Sequence, residues 1–192
     1  MKKSGQKYNT AGIALIEVIV STLLFVIILL SMTQIFQMIL IGQRRAIAAQ
    51  NVQESLKYFF EVISKEIRMS RRVGAVNTCL SGSNILPNKR FGTSTNEYGD
   101  ILYLKNYHGE CVAYYLASDN GVIHFYVDRG DKSGYLSPQK IEVEDLRFSV
   151  HEEEGEQAYV TINLRAHSVG GEAAMSEMRV QTTISSRYYK SN

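Results

Sequence analysis

The organisation of this chain is decided by residues 12–43, which read GIALIEVIVSTLLFVIILLSMTQIFQMILIGQ. From residue 18 to residue 43 this segment contains no charged side chain. As an α-helix that rises 1.5 Å per residue, the uncharged part would be about 39 Å long, which exceeds the roughly 30 Å hydrocarbon core of a bilayer. The sequence therefore predicts one membrane-spanning helix, followed from about residue 44 by a single water-facing domain.

The charge balance argues against a nucleic-acid-binding protein. The chain has 21 basic and 19 acidic residues, a formal net charge of +2. Three of the basic residues lie in the first twelve positions: Lys2, Lys3 and Lys7. Without those three, 18 basic residues face 19 acidic ones, and pairs such as Arg71-Arg72 and Lys89-Arg90 do not make the basic cluster that a phosphate backbone needs. We therefore expect no direct nucleic-acid binding.

The two cysteines, Cys79 and Cys111, fit neither a CxxC motif nor a usual set of zinc ligands. In a domain exported to an oxidising compartment, two cysteines most simply form a disulfide. Closing a loop of that length would stabilise the fold by about 3 to 4 kcal/mol in the chain-entropy model. The alternative is two unrelated buried thiols.

Two ordinary explanations of the N-terminus fit the sequence poorly. In a secretory signal peptide, Ala46-Ile47-Ala48 would be the cleavage site, but the apolar region is longer than the 7 to 15 residues that are typical of such signals. A plain membrane anchor explains the length of the segment but not Glu17. A carboxylate within a span costs about 2.5 to 3.5 kcal/mol on insertion scales unless it lies near the interface or has a partner.

The N-terminus resembles the class III signal of type IV pilins and type II secretion pseudopilins. That signal is a short basic leader ending in glycine, followed by an apolar first mature residue, with glutamate as the fifth mature residue. Here the leader ends at Gly12, Ile13 follows, and Glu17 is the fifth residue from Ile13. The resemblance implies that a prepilin peptidase cleaves between Gly12 and Ile13 and removes residues 1–12, and that Ile13 becomes N-methylated.

The resemblance also assigns a role to Glu17. In a filament of parallel apolar helices, the new α-amine of one subunit and the Glu17 carboxylate of a neighbour would neutralise each other in a medium of low dielectric constant, where an unpaired charge is costly. Glu17 would then set the register between neighbouring helices. The alternative from the residues alone is a glutamate that reaches the interface at one end of the span.

Beyond the span, residues 44–73 continue the helix as an amphipathic segment. Apolar residues recur at steps of three and four along it: Val52, Leu56, Phe59, Phe60, Ile63 and Ile67. The polar residues are assigned to the opposite face: Gln53, Glu54, Lys57, Glu61, Lys65, Glu66 and Arg68. Because no proline occurs between residues 13 and 86, we predict one helix from about Leu15 to Met69.

The remaining sequence predicts an antiparallel sheet. Residues 74–100 are rich in Asn, Ser, Gly and Thr and are interpreted as a connecting loop. In the sheet domain of residues 101–192, Asn120-Gly121 is a strong hairpin signal. Six strand-like runs follow one another: residues 101–105, 111–116, 122–127, 141–150, 159–166 and 178–184. The predicted fold is α+β and pilin-like, with one long N-terminal helix packed on one antiparallel β-sheet and residues 44–192 forming one globular domain.

Two short phrases refine the resemblance. The stretch VEDLRF at residues 143–148 and the stretch QTTISSR at residues 181–187 are similar to sequences in the larger minor pilins of the W type and in J-type pseudopilins. This similarity implies a minor subunit rather than the main subunit of a filament.

No sequence pattern in the chain indicates catalysis. Residues 151–154 read HEEE, which is not the HExxH motif of zinc proteases and is interpreted as a solvated turn. Residues 128–134 offer oxygen ligands for calcium but lack EF-hand spacing, and their Arg and Lys oppose a dication, so a flexible loop is favoured. Nucleophile elbows, Walker A loops and dinucleotide fingerprints are absent from the sequence. We expect no catalytic residue, no metal and no cofactor.

The resemblance thus implies a structural minor pilin or pseudopilin in a type IV pilus or a type II secretion or competence pseudopilus, at its tip or in the initiation of assembly. It would be a single-pass protein of the bacterial inner membrane with an extracytoplasmic domain. The expected partners are the prepilin peptidase, other major and minor pilins or pseudopilins, the inner-membrane assembly platform and membrane lipid. The alternative is a single-span protein with a ligand-binding or sensory domain that does not polymerise.

Overall fold

The structure is a computed structural model, and its described residues form one helix and eight strands. It describes residues 11–74, 79, 85–130, 132–138, 141–154, 156–169 and 177–187, with side chains described from Leu15 onward. Helix α1 extends over Ala11–Arg68. The chain divides into two compact units, Met1–Gln43 and Arg44–Asn192.

In the first unit, helix α1 is apolar on every side. All described residues from Leu15 to residue 43 are exposed, and the large apolar ones are mostly 45 to 74% accessible. This helix is long and apolar enough to cross a membrane. A helix without a polar face is typical of a membrane span or of a helix buried among other helices.

In the second unit, helix α1 is amphipathic. Its buried residues fall on one stripe at helical spacing: Val52, Leu56, Phe59, Ile63 and Ile67. The helix ends at Arg68, and both the amide and the hydroxyl of Ser70 donate hydrogen bonds to the Ile67 carbonyl at 3.3 and 2.9 Å. These bonds satisfy a carbonyl that has no partner within the helix.

The first sheet is an antiparallel meander in which the five strands lie in sequence order. The strands are β1 Phe91–Asn96, β2 Gly99–Lys105, β3 Cys111–Asp119, β4 Val122–Asp128 and β5 Ser133–Tyr135. Strands β3 and β4 are joined by Asn120 and Gly121, which have φ values of 52° and 83°. Two successive positive φ angles are characteristic of the type I′ hairpin turn that Asn-Gly favours.

A second antiparallel sheet has three strands, also in sequence order. They are β6 Ile141–His151, β7 Tyr159–Ser168 and β8 Glu177–Ser185. The register between β6 and β7 shifts between Val143 and Asp145, which indicates a β-bulge or a similar irregularity.

Helix α1 and both sheets share one hydrophobic core. The rings of Phe59 on α1 and Phe125 on β4 have centroids 3.7 Å apart, and Leu146 and Ile162 of the second sheet are completely buried in the same cluster. Every buried apolar residue that the structure describes lies between Ala48 and Ile184. The core of the second unit is therefore built without residues 1–43.

The α+β prediction is confirmed, but two of its details are wrong. The strands form two sheets and not one. Residues 91–96, interpreted as part of the connecting loop 74–100, form strand β1. The loop interpretation failed because this strand carries Gly, Thr, Ser and Asn and buries only one large side chain, that of Phe91. Its pairing with β2, and not its own hydrophobicity, makes it a strand.

Candidate assembly site

The predicted cleavage and methylation residues, Gly12 and Ile13, lie in the first turn of helix α1, and their side chains are outside the described part of the structure. Glu17 lies one turn further along and is exposed. Within the described residues its carboxylate has no hydrogen-bond or ion-pair partner. An acid in this position can bind a cationic group that another molecule supplies.

The hydroxyl side chains of the apolar segment are satisfied within the helix. Ser21, Thr22, Ser31 and Thr33 each donate a hydrogen bond to the carbonyl four residues earlier, at 2.7 to 2.9 Å. These bonds remove most of the cost of placing a hydroxyl in an apolar medium. Glu17 is the one carboxylate between Leu15 and residue 43. Its charge is therefore the one in this segment that needs a partner from another molecule.

A polar cluster joins the amphipathic part of α1 to the first sheet. The Tyr114 hydroxyl on β3 donates a hydrogen bond to Glu66 Oε2 at 2.6 Å. The Arg129 Nη2 group, just after β4, donates to Glu66 Oε1 at 2.7 Å. Tyr114 is fully buried, and burial together with the neighbouring Glu66 charge raises its pKa well above the ordinary value. The hydroxyl therefore stays protonated and acts as a donor.

The pattern of polar residues predicts that Glu66 lies on the solvent face of the helix, and this prediction is wrong. Glu66 is only 8% exposed. It follows Ile63 by three positions and Phe59 by seven, so it lies on the buried stripe at helical spacing. That spacing was a usable signal, but its partners Tyr114 and Arg129 are 48 and 63 residues away in sequence and could not be inferred.

The predicted disulfide between Cys79 and Cys111 is present, with the two Cα atoms 5.2 Å apart. It ties the segment that follows α1 to the first residue of β3. The sequence separation of 32 residues corresponds to a stabilisation of about 3 to 4 kcal/mol in the chain-entropy model. An oxidised pair is expected in a domain outside the cytoplasm.

Residues 151–154 were predicted to form a solvated turn, and this prediction is correct for Glu153 and Glu154 but not for Glu152. The Glu152 carboxylate accepts hydrogen bonds from the Arg90 amide at 2.9 and 3.1 Å, while its own carbonyl accepts one from Lys89 Nζ at 2.6 Å. Glu152 therefore holds the start of β1 against the end of β6. Glu153 and Glu154 are exposed.

Two parts of the described chain bring potential metal ligands together. Ligand atoms of His151, Glu153 and Glu156 lie within 4.8 Å of one another, and His151 Nε2 is 3.3 Å from Glu156 Oε2, so a hydrogen bond accounts for much of this closeness. In the 128–134 segment, predicted to be a flexible loop, the Asp128 carboxylate accepts the Gly130 amide at 2.9 Å and β5 begins at Ser133. Part of that segment is therefore a strand.

A serine–histidine contact is the nearest approach to a catalytic pair in the described residues. Ser137 Oγ lies 3.3 Å from His124 Nδ1. The same Ser137 oxygen accepts the Phe125 amide at 3.0 Å, and His124 is 4% exposed. No carboxylate contacts the His124 ring among the residues the structure describes, so this pair lacks the third group that would orient the base. The contact fixes the end of the β5 segment against β4.

Comparisons with known protein-family models, with curated proteins and with solved structures find no match to this chain. The N-terminal residues, the exposed apolar helix and the disulfide-bonded domain are therefore the features from which a function can be inferred.

Proposed function

We propose that this protein is a minor pilin or pseudopilin, most like the W-type minor pilins or the J-type pseudopilins. It would be held in the bacterial inner membrane by helix α1 and then incorporated through that helix into a type IV pilus or a type II secretion or competence pseudopilus. A position at the tip, or in the initiation of assembly, suits a minor subunit.

One observation carries this proposal: Gly12 and then Glu17 lie at the start of helix α1, and the large apolar side chains that follow up to residue 43 are exposed on all sides of it. Such a surface requires lipid or other apolar helices around it. Both environments would be used in turn by a subunit that is first anchored and then assembled.

Maturation would create the partner of Glu17. A prepilin peptidase would cleave after Gly12 at the cytoplasmic face and free the α-amine of Ile13, which is then N-methylated. In the assembled filament, the amine of one subunit would neutralise Glu17 of its neighbour. Because the surrounding helices are apolar, this pair would be strong and its loss would leave an uncompensated buried charge.

The second unit supports the same proposal. A helix that continues from the apolar segment and packs on antiparallel sheets is the arrangement expected of a pilin-like subunit. The disulfide between Cys79 and Cys111 favours an extracytoplasmic domain. Other pilins or pseudopilins and the inner-membrane assembly platform would be the partners of such a subunit.

Substitution of Glu17 tests the register role. We expect Glu17→Ala to insert into the membrane as the native chain does, since removing a charge from an apolar segment favours insertion. Its incorporation into filaments should fall at least tenfold. Glu54→Ala is a matched control, because Glu54 is an exposed carboxylate of the same helix outside the apolar segment.

The measurement is the ratio of filament-bound to membrane-bound protein by immunoblotting of sheared cell fractions. Equal incorporation of Glu17→Ala and the native chain would remove the register role. Loss of incorporation in both variants would mean that the defect is general and not specific to Glu17. A membrane-anchored sensory protein would give no filament-bound fraction for any of the three chains.

A further inference from the structure

A cavity of about 720 Å³ lies between the amphipathic part of α1 and two turns of the first sheet. Lys65 contributes from the helix, Glu110 from the β2–β3 turn, and Arg129 and Lys132 from the β4–β5 turn. Glu66 also lines the cavity and links it to the helix–sheet cluster.

The carboxylates of this cavity have hydrogen-bond partners, whereas its lysines have no anionic partner among the described residues. Both carboxylates are engaged, because Glu66 accepts from Tyr114 and Arg129, and Glu110 accepts from Asn106 Nδ2 at 2.8 Å. Lys65 and Lys132 form no ion pair with any carboxylate in the described ranges. The Nε atom of Arg129 is buried and lacks a hydrogen-bond acceptor there as well. Among the described residues, the cavity therefore has cationic donors in excess of their acceptors, which suits an occupant that bears carboxylates.

The chain carries a matching acidic element in the connection between β6 and β7. Glu153 and Glu154 are exposed and form no ion pair with another described residue. In this connection the His151 ring already contacts Glu156, with Nε2 3.3 Å from Oε2. The Glu153 and Glu154 carboxylates are therefore the ones that are left for a cationic partner from another molecule. The connection is held firmly at its start by the hydrogen bonds of Glu152.

None of the described residues of this connection lines the cavity. One copy of the chain therefore does not fill its own cavity with its own acidic turn, and a second copy is needed to bring the two together. The two surfaces are different parts of the molecule, so the contact would be heterologous. Repetition of a heterologous contact gives an open chain of subunits unless the rotation closes a ring.

We propose that the acidic β6–β7 turn of one copy docks into the cationic cavity of a second copy. Glu153 and Glu154 of the first copy accept hydrogen bonds from Lys65, Lys132 and Arg129 of the second. The contact adds a link between globular domains to the helix contacts proposed above, and its role in a filament rests on that proposed function. Because charged pairs at an exposed rim are screened by salt, the contact should weaken as ionic strength rises.

Zero-length carbodiimide cross-linking tests the contact on the full chain in membranes. Equal amounts of unlabelled and ¹⁵N-labelled chain are combined, and cross-linked peptides are identified by mass spectrometry. We expect amide links from Lys65 or Lys132 to Glu153 or Glu154, with mixed isotope labels that prove a bond between two copies. Absence of these links, or links only between peptides of the same label, would overturn the proposal.

Charge reversal provides the second test. Lys65→Glu combined with Lys132→Glu should abolish these links, because both amines that form them are removed. Adding Glu153→Lys with Glu154→Lys in the same chain should bring inter-copy links back to near the native yield, and this restoration is the result that tests the docking. A matched control reverses Lys57 and Arg72, which are exposed cations outside the cavity. Links between the engineered lysines and glutamates report the restored contact, and retention of the native disulfide reports folding.

The outcomes separate this contact from the proposed function. If the control lowers cross-linking as much as the cavity variant does, or if the fourfold variant is not restored, the docking contact is overturned. If the links are absent while Glu17→Ala still blocks incorporation into filaments, only the docking contact fails. If the links form but the chain retains residues 1–12 in filaments, the proposed maturation fails and the contact between domains stands.

Discussion

Removal of the Glu66 carboxylate should destabilise the second unit measurably. In Glu66→Ala the buried Tyr114 hydroxyl loses its acceptor, which costs about 1 to 3 kcal/mol. The Arg129 side chain is 35% exposed, so water screens its unpaired charge and the further cost is about 0 to 1 kcal/mol. The free energy of unfolding should therefore fall by about 1 to 4 kcal/mol.

The assay is urea unfolding of a fragment that contains residues 44–192, followed by circular dichroism. The fragment contains every buried apolar residue described, so it is expected to fold without the apolar segment. Glu66→Gln keeps an acceptor for Tyr114 and loses only the charge, so its effect should be smaller. Glu61→Ala is the control, because Glu61 is exposed on the same helix and should change stability by less than about 0.5 kcal/mol. If Glu66→Ala matches Glu61→Ala, the cluster does not stabilise the helix–sheet junction.

Three further predictions concern the same domain. The folded-state pKa of Tyr114 lies above its unfolded value of 10.0, so its contribution to the free energy of unfolding is complete below pH 10. Above pH 10 the free energy of unfolding should fall by about 1.4 kcal/mol per pH unit. Tyr114→Phe should remove this part of the fall when unfolding by urea is measured at alkaline pH. Replacing Cys79 and Cys111 by serine should lower the free energy of unfolding by about 3 to 4 kcal/mol, and an unchanged urea midpoint would contradict the chain-entropy argument. Gly99→Ala should lower the free energy of unfolding of the fragment by more than about 1 kcal/mol, since φ at Gly99 is 151° and the added Cβ would lie 2.9 Å from the Leu146 carbonyl oxygen. A urea midpoint equal to that of the native fragment would show that the backbone adjusts freely.

The helix and six of the eight strands were predictable because their periodicity is strong. Each of the six predicted runs lies inside a strand. The helix ends at Arg68, one residue before the predicted Met69, but the assignment of residues 69–73 to its amphipathic continuation is wrong. Strands β1 and β5 were missed because neither has an alternating run of large apolar residues. The division into two sheets was also missed, since the chain order of the strands does not specify where one sheet ends and the next begins.

The polar interactions were less predictable than the apolar ones. The roles of Glu152 and Glu66 depend on partners about 50 to 60 residues away, which no local pattern specifies. In contrast, the disulfide was predictable because the chain has only two cysteines, which allow a single pairing. The N-terminal segment was the most informative part of the sequence, because a lone carboxylate at the start of an apolar run has few physical explanations.

In the proposed filament, maturation creates the amine that neutralises Glu17. The most direct measurement is mass spectrometry of the N-terminal peptide, using protein recovered from filaments of cells with an active prepilin peptidase. We expect a chain that begins at N-methylated Ile13, and a longer chain that still begins with the lysine-rich leader when the peptidase is deleted. Filaments whose subunits retain residues 1–12 would contradict this expectation, because the amine would then lie far from Glu17.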